Sequence, residues 1–321
     1  MLSGQPPRLR TRRDFVRVSA AATGFTLLGG ISGDRSASAS AAVGAGTDPT
    51  PSTRSGPRHS ISLAQWSLHR TLGDGRLDPL DFPRSAREDF GLEAVEYVNS
   101  FYRGASSGWV GELASRCRDE GVRSLLIMCD GEGRIGDPDP AARTTTIENH
   151  LHWLEAAAAL GCHSIRVNAA SEGSREEQSR LAADGLRCLA ERAEPFDLSV
   201  LVENHGGLSS DGAWLAATIR AADHPRLGTL PDFGNWQVTD TERYDPYRGL
   251  AELMPMARAV SAKSHDFGPD GEETGLDYGR LLRIVREAGY EGWVGIEYEG
   301  NRLSEPEGIR ATKQLLLRKM S

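Results

Sequence analysis

The sequence predicts a single α/β domain, a (β/α)8 TIM barrel, and three observations carry that reading. From residue 60 onward, short apolar runs alternate with amphipathic segments eight times, at about 30 residues per repeat. The first apolar run leads into Gln65-Trp66-Ser67-Leu68-His69. An open doubly wound sheet would instead want a glycine-rich phosphate turn there. Finally, the last four apolar runs each end in a residue able to ligate a metal: Glu203, Asp232, His265 and Glu297. A barrel brings the C-terminal ends of its strands to one mouth, whereas an open sheet would string them out in a line.

The predicted strands are 61–66, 92–98, 122–129, 163–169, 197–203, 226–231, 258–264 and 292–297. They are rich in Val, Ile and Leu and lack strict alternation, as expected of strands covered on both faces. Helices are expected near 78–90, 107–120, 143–160, 174–194, 211–222, 245–256, 277–289 and 305–319. Ser174 with Glu177, and Ser304 with Glu307, read as capping boxes. Asp78 before Pro79 reads as an N-cap with proline at the first helical position. In the 143–160 segment Ile147, Leu151, Leu154 and Ala158 share one helical face, and Gly161 follows as the stop.

The chain does not begin as a folded domain. Arg12-Arg13-Asp14-Phe15-Val16 is a twin-arginine pattern, followed by a moderately apolar run over 18–28 and Ala-x-Ala sites at 37–39 and 39–41. Residues 1–42 therefore read as a twin-arginine signal peptide, 43–58 as a flexible leader and 59–321 as the catalytic barrel. The expected location is periplasmic or secreted. The apolar run is too short for a membrane span, which takes about 20 residues, and no membrane anchor is expected.

Of a formal net charge of −8, residues 1–42 carry +4 (six Arg, two Asp), leaving −12 on the remainder. That balance argues against nucleic-acid partners and anionic membranes. It also disfavours a DNA-repair nuclease on this fold, as does a total of only eight histidines. The four cysteines, at 117, 129, 162 and 188, form no Cys-x-x-Cys pair. Buried free thiols are the favoured reading, with two disulfides as the alternative for an exported chain.

Glu203 begins the chemical argument. It closes an apolar run (Leu198, Val200, Leu201, Val202), and a carboxylate there needs charge compensation. Three carboxylates and an imidazole form a hard, oxygen-rich set that suits Mn²⁺ or Mg²⁺, with Co²⁺ or Zn²⁺ as alternatives. Such a metal would chelate a sugar carbonyl and an adjacent hydroxyl, while Glu203 and Glu297 move the α-proton.

Leu201-Val202-Glu203-Asn204-His205-Gly206-Gly207, Pro231-Asp232-Phe233-Gly234-Asn235, Ala262-Lys263-Ser264-His265-Asp266-Phe267 and the run from Gly289 to Gly300 resemble the sugar phosphate isomerase/epimerase superfamily, the xylose-isomerase-like barrels. The resemblance implies one divalent metal held by Glu, Asp, His and Glu on the last four strands. Glu203, Asp232 and Glu297 carry over directly. On the seventh strand His265 and Lys263 share parity, so either could face inward. His265 is taken as the fourth ligand and Lys263 as a catalytic or substrate-binding cation.

His205 is a further candidate acid/base, and Asn204 and Asn235 read as turn formers. Trp66, His69, Glu96, Arg166, Asn168 and Trp236 are candidate substrate-binding residues, and Glu272-Glu273 reads as a solvated loop. The function expected is a metal-dependent sugar isomerase or epimerase acting on a sugar, keto-sugar or polyol. The alternatives are a lyase or dehydratase in the same site and a non-catalytic exported sugar-binding barrel. Barrels of this kind often form dimers or tetramers, and the sequence leaves the oligomeric state open.

Overall fold

The computed structural model describes residues 60–320. The twin-arginine segment and leader read from the sequence lie outside the described residues. Eight parallel strands run in the order β6-β5-β4-β3-β2-β1-β8-β7. They are β1 Ser60–Ala64, β2 Ala94–Val98, β3 Arg123–Met128, β4 Ser164–Val167, β5 Ser199–Glu203, β6 Leu227–Leu230, β7 Val260–Ser264 and β8 Trp293–Tyr298. β6 and β7 lie at the two ends of this order, and isolated parallel bridges, Thr229 to Ala257 and Asp232 to Ser261, join them. Backbone bonds Arg258 N–H to Thr229 O and Ser261 N–H to Pro231 O, each 3.0 Å, run along that seam. The result is the expected eight-stranded α/β barrel.

The helices are α1 His69–Gly73, α2 Phe82–Glu88, α3 Ser107–Glu120, α4 Pro140–Leu160, α5 Arg175–Ala193, α6 Gly212–Ala222, α7 Pro246–Leu253, α8 Tyr278–Glu287 and α9 Glu305–Met320. Their starts follow the cap chemistry. The Ser174 hydroxyl accepts from Glu177 N–H while the Glu177 carboxylate accepts from Ser174 N–H, a complete capping box. Asp78 accepts from Leu80 N–H ahead of Pro79, though this opens a 3-10 turn (Pro79–Asp81) and α2 proper begins at Phe82. Gly161 ends α4 at φ 73°, a left-handed conformation that glycine adopts without steric cost. In α4 the buried face is Thr146, His150, Trp153, Leu154, Ala157 and Leu160 rather than the stripe centred on Ile147 and Leu151. The apolar residues are spread widely enough round this helix that their pattern did not fix its rotation.

Strand alternation divides the core in two. Val95, Tyr97, Ile127, Ile165, Val200, Val202, Val260, Ala262, Val294 and Ile296 join the large cluster that packs between sheet and helices. Ala64, Val98, Leu126, Met128, Leu201, Leu230 and Ala259 form a separate cluster inside the ring. The same parity that turns these inward turns Ser62, Glu96, Arg166, Glu203, Ser261, Lys263 and Glu297 inward too. On β3 a bulge intervenes: Val95 pairs Ser124 while Glu96 pairs Leu126. Leu125 is the extra residue, so Ser124 faces out to the Tyr97 hydroxyl at 2.9 Å and Leu126 faces in.

The four cysteines are free thiols, three of them buried. Glu273, read as solvated, is 8% exposed, and its carboxylate accepts from Gly275 and Leu276 N–H at 2.6 Å each. It caps its own loop. Among the described residues no helix is long and apolar enough to cross a membrane.

Leu201 is fully buried within the inner cluster, one pleat below Glu203. Leu201→Ala is expected to destabilise the domain by about 2–5 kcal/mol, because a closed ring of strands cannot collapse onto the cavity. Urea unfolding of the two proteins measures it; a change under about 1 kcal/mol would show that the interior repacks freely.

Candidate metal centre and barrel mouth

Three of the four expected ligands meet. One carboxylate oxygen each from Glu203, Asp232 and Glu297 lie within 4.8 Å of one another, all three residues buried. Strand geometry places them: Glu203 ends β5, Glu297 lies near the end of β8, and Asp232 sits two residues past β6. Asp232 is held there by a reciprocal clamp. Its N–H donates to Asn204 Oδ1 (2.7 Å), and Asn204 Nδ2 donates back to the carbonyls of Asp232 and Asn235 (3.0 Å each). The Asp232 carboxylate in turn accepts from the N–H groups of Gly234 and Asn235 at 2.8 Å.

His265 stands outside this cluster. It follows the last residue of β7, its side chain is 48% exposed, and its Nε2 lies 3.8 Å from Glu299. The inward positions on β7 belong to Ser261 and Lys263. Ser261 Oγ lies 2.6 Å from Asp232 Oδ2 and 2.9 Å from Glu297 Oε2, touching two of the three carboxylates. Lys263 Nζ reaches Glu297 Oε1, Glu299 Oε1 and Asn235 Oδ1, each at 3.2 Å. Asn235, read as a turn former, closes the chain of contacts by donating to Glu203 Oε1 at 3.1 Å.

Arg166 is the second buried cation. It reaches Asp130 Oδ1 at 2.7 Å, and its Nε lies 2.8 Å from Glu203 Oε2. In the latter contact the N–H does not point at the oxygen. Both atoms are therefore in charge contact yet lack a directional hydrogen bond. Asn168 donates to Asp130 at 2.8 Å, completing a polar rim on the β3–β4 side.

Burial decides the electrostatics. It pushes Asp232 up to about 7, with Lys263 opposing and Glu297 and Glu203 adding to the rise. Glu203 is likewise pushed up to about 7 by burial against the opposing pull of Arg166. Glu297 is buried too, but Lys263, Ser261 and Arg166 outweigh that and hold it below its ordinary value. The carboxylates titrate as a unit. His205 lies open to the mouth but is flanked by protein; partial desolvation first, then Arg166 and Lys263, lower its pKa. Both effects favour the neutral imidazole.

The other candidates separate by position. Trp66 is half-buried, stacks on His69 at 4.9 Å and meets Phe101 at 5.9 Å, forming an aromatic shelf above the inner cluster. His69 Nδ1 also contacts Trp66 O at 2.8 Å. Trp236 is fully buried, so its expected place in a substrate wall is corrected. Its Nε1 donates to Phe233 O, and its ring fills the space over Gly249, where a Cβ would lie 2.1 Å away. Glu96 is 1% exposed inside the ring, accepts from Ser62 Oγ at 2.6 Å, and lies against Gly295, where a Cβ would stand 2.6 Å from its carboxylate. Sequence reasoning missed Ser261, Asn235, Asp130 and Glu299. Inward parity with Lys263 was the available signal for Ser261.

A parallel barrel with carboxylates clustered at the C-terminal strand ends defines an α/β-barrel class of protein. The chain belongs to the family described as xylose isomerase-like TIM barrels, whose model matches residues 85–320. It is 23% identical over 227 residues to the 2-oxo-tetronate isomerase of Pectobacterium atrosepticum, covering 66% of this chain and 84% of that one. It is 22% identical over 307 residues to the 3'-dehydrocarminate deglycosidase alpha subunit of a Microbacterium species, covering 72% and 85%. A xylose isomerase-like barrel from Mycobacterium smegmatis, solved in complex with magnesium, superposes with a TM-score of 0.61 at 17% identity, covering 82% and 98%.

The residues fit a hard divalent ion. Three carboxylates converge, Glu203 Oε2 has no directional donor, and Ser261 adds a neutral oxygen beside two of them. Glu203, Asp232 and Glu297 would hold the ion.

Glu96 gives a pH prediction. Burial, then Glu297 and Glu203, raise its pKa to about 7 against the help of Ser62. With the folded value raised above 4.5, its contribution to stability is complete below about pH 4.5 and is lost as pH rises through about 7. Glu96→Gln keeps the shape and removes the titration. In metal-free protein it is expected to gain on the order of 3 kcal/mol over wild type between pH 5 and pH 8. Urea unfolding at both pH values measures this; parallel pH profiles would sink it.

Proposed function

We propose that this chain is a divalent-metal-dependent isomerase or epimerase of a sugar, keto-sugar or polyol, working by α-proton abstraction next to a carbonyl. The observation that carries the reading is the pairing of two buried glutamates with two buried cations: Glu203 with Arg166 at 2.8 Å and Glu297 with Lys263 at 3.2 Å. When bound, the metal supplies a Lewis acid that polarises the carbonyl. One glutamate takes the α-proton; the C–H electron pair becomes the C=C bond of an enediolate as the carbonyl π pair moves onto its oxygen. The other returns a proton, to the adjacent carbon in an isomerase or to the opposite face in an epimerase. Lys263 and Arg166 stabilise the oxyanion as charge develops, in a site where burial strengthens their effect. The Trp66 shelf offers an apolar face for a sugar ring, and Asn168, Asp130 and His205 offer polar partners. His205, with its neutral form favoured, is suited to carry a proton between substrate and solvent.

A second reading is a lyase in the same site, favoured by the relative named as a deglycosidase. The first step is shared; a β-leaving group then departs instead of the proton returning. The N-terminal export signal read from the sequence supports an enzyme acting outside the cytoplasm on free sugars or glycosides.

Incubation of Mn²⁺-loaded protein with sugars, 3-keto-sugars and glycosides in D₂O separates the two. Deuterium in an isomer supports isomerisation, and release of an aglycone or water supports elimination. Glu297→Gln is expected to abolish exchange, and Lys263→Ala to slow turnover about 10²–10³-fold. Retained exchange in Glu297→Gln would overturn the mechanism. His265→Ala is expected to keep wild-type metal content by elemental analysis, whereas Asp232→Ala loses it; the reverse result would return His265 to the metal.

A further inference from the structure

We propose that Lys263 is a resident counter-ion of the carboxylate cluster, competing with the divalent cation for Glu297, so that cation binding releases the ammonium from Glu297 and leaves it on Glu299 and Asn235. This rests on the metal reading above. The seventh strand is where the cluster departs from its neighbours. β5, β6 and β8 each bring a carboxylate, whereas β7 brings a neutral hydroxyl, Ser261, and two residues later a cation. A metal approaching the three carboxylates therefore meets a charge already seated among them.

The seat of that charge has partners both inside and outside the cluster. Of the three N–H donors of its ammonium, Lys263 directs hydrogen bonds to Glu299 and Asn235 and stands in charge contact with Glu297, all at 3.2 Å. Only Glu297 belongs to the cluster. Glu299 lies outward, 27% exposed, and also faces His265. Losing Glu297 to a metal would leave the ammonium with one carboxylate and one amide oxygen, so it would not be stranded. The stem cannot retreat further on the β6 side. Gly234 packs so closely that a Cβ there would sit 3.0–3.1 Å from Lys263 Cδ and Cγ. The lysine is thus held within reach of the cluster whether or not it neutralises Glu297.

Charge counting points the same way. Glu203, Asp232 and Glu297, with Arg166 and Lys263 and the outer partners of those cations, Asp130 and Glu299, sum to three negative charges when all are ionised, and to four without Lys263. Lys263 therefore lowers metal affinity in the resting site while keeping a cation ready for the substrate oxygen. Even at the dielectric of bulk water, about 80, one unit charge a few ångströms from a divalent ion changes its affinity by roughly tenfold or more.

The test is calorimetric titration of Mn²⁺ into the metal-free full chain. Lys263→Met is expected to lower the Kd roughly tenfold or more, and Lys263→Arg, which keeps the charge, to stay near wild type. Should Lys263→Met fail to fold without metal, Glu299→Gln gives the opposite sign. It deprives the ammonium of its outer carboxylate and is expected to raise the Kd about threefold. In a crystal structure of the Mn²⁺-loaded wild type, Lys263 should touch Glu299 and no longer Glu297. Wild-type binding with no tightening in Lys263→Met, no weakening in Glu299→Gln, or a retained Lys263–Glu297 contact in the loaded structure overturns this inference alone. Absence of Mn²⁺ binding in every variant overturns the metal reading along with it.

Discussion

Three carboxylates buried together inside a ring of strands are the constraint on which the rest of this structure depends. Each loses its hydration, and each repels the others. The barrel answers with two cations that are themselves buried: Arg166 beside Glu203 and Lys263 beside Glu297. Ser261 and Asn235 then fill the gaps with hydrogen bonds that touch two partners each. Removing any member would leave a charge unpaired in a low-dielectric interior, so the cluster is cooperative by construction.

The compensation is incomplete, and that is what makes the site chemically capable. Glu203 keeps one oxygen without a directional donor. Asp232 and Glu203 sit near neutrality in proton affinity while Glu297 stays low. Carboxylates whose proton affinities are pushed apart by their surroundings can divide the labour of taking and returning a proton. Beneath them Glu96 repeats the same physics on a smaller scale, hydrogen-bonded to Ser62 and seated over a glycine because no Cβ would fit.

The mouth is asymmetric. Carboxylates and Lys263 come from β5 to β8, while the β1–β2 side presents Trp66, His69 and Phe101 over an apolar inner cluster. This division sets a charged face opposite an aromatic one.

Much of this was legible in the residues alone. Eight apolar runs, their spacing and their caps determined the barrel, because burial on both faces and helix capping act over a few neighbouring residues. Carboxylates at strand ends determined Glu203, Asp232 and Glu297 as a set, because a closed ring brings its strand ends together whatever lies between them. What the sequence could not decide was direction and depth. His265 and Lys263 share strand parity, and only the tertiary structure shows Lys263 reaching inward while His265, just past the strand, turns out to solvent. Trp236 and Trp66 look alike as candidates, yet one is core and the other mouth, a distinction made by the way the next helix, carrying Gly249, packs back over the Trp236 ring. Ser261 and Asn235 owe their place to contacts between strands that are distant in sequence. Parity and local chemistry travel with the chain; the partner that a side chain finally meets is set by the closure of the ring.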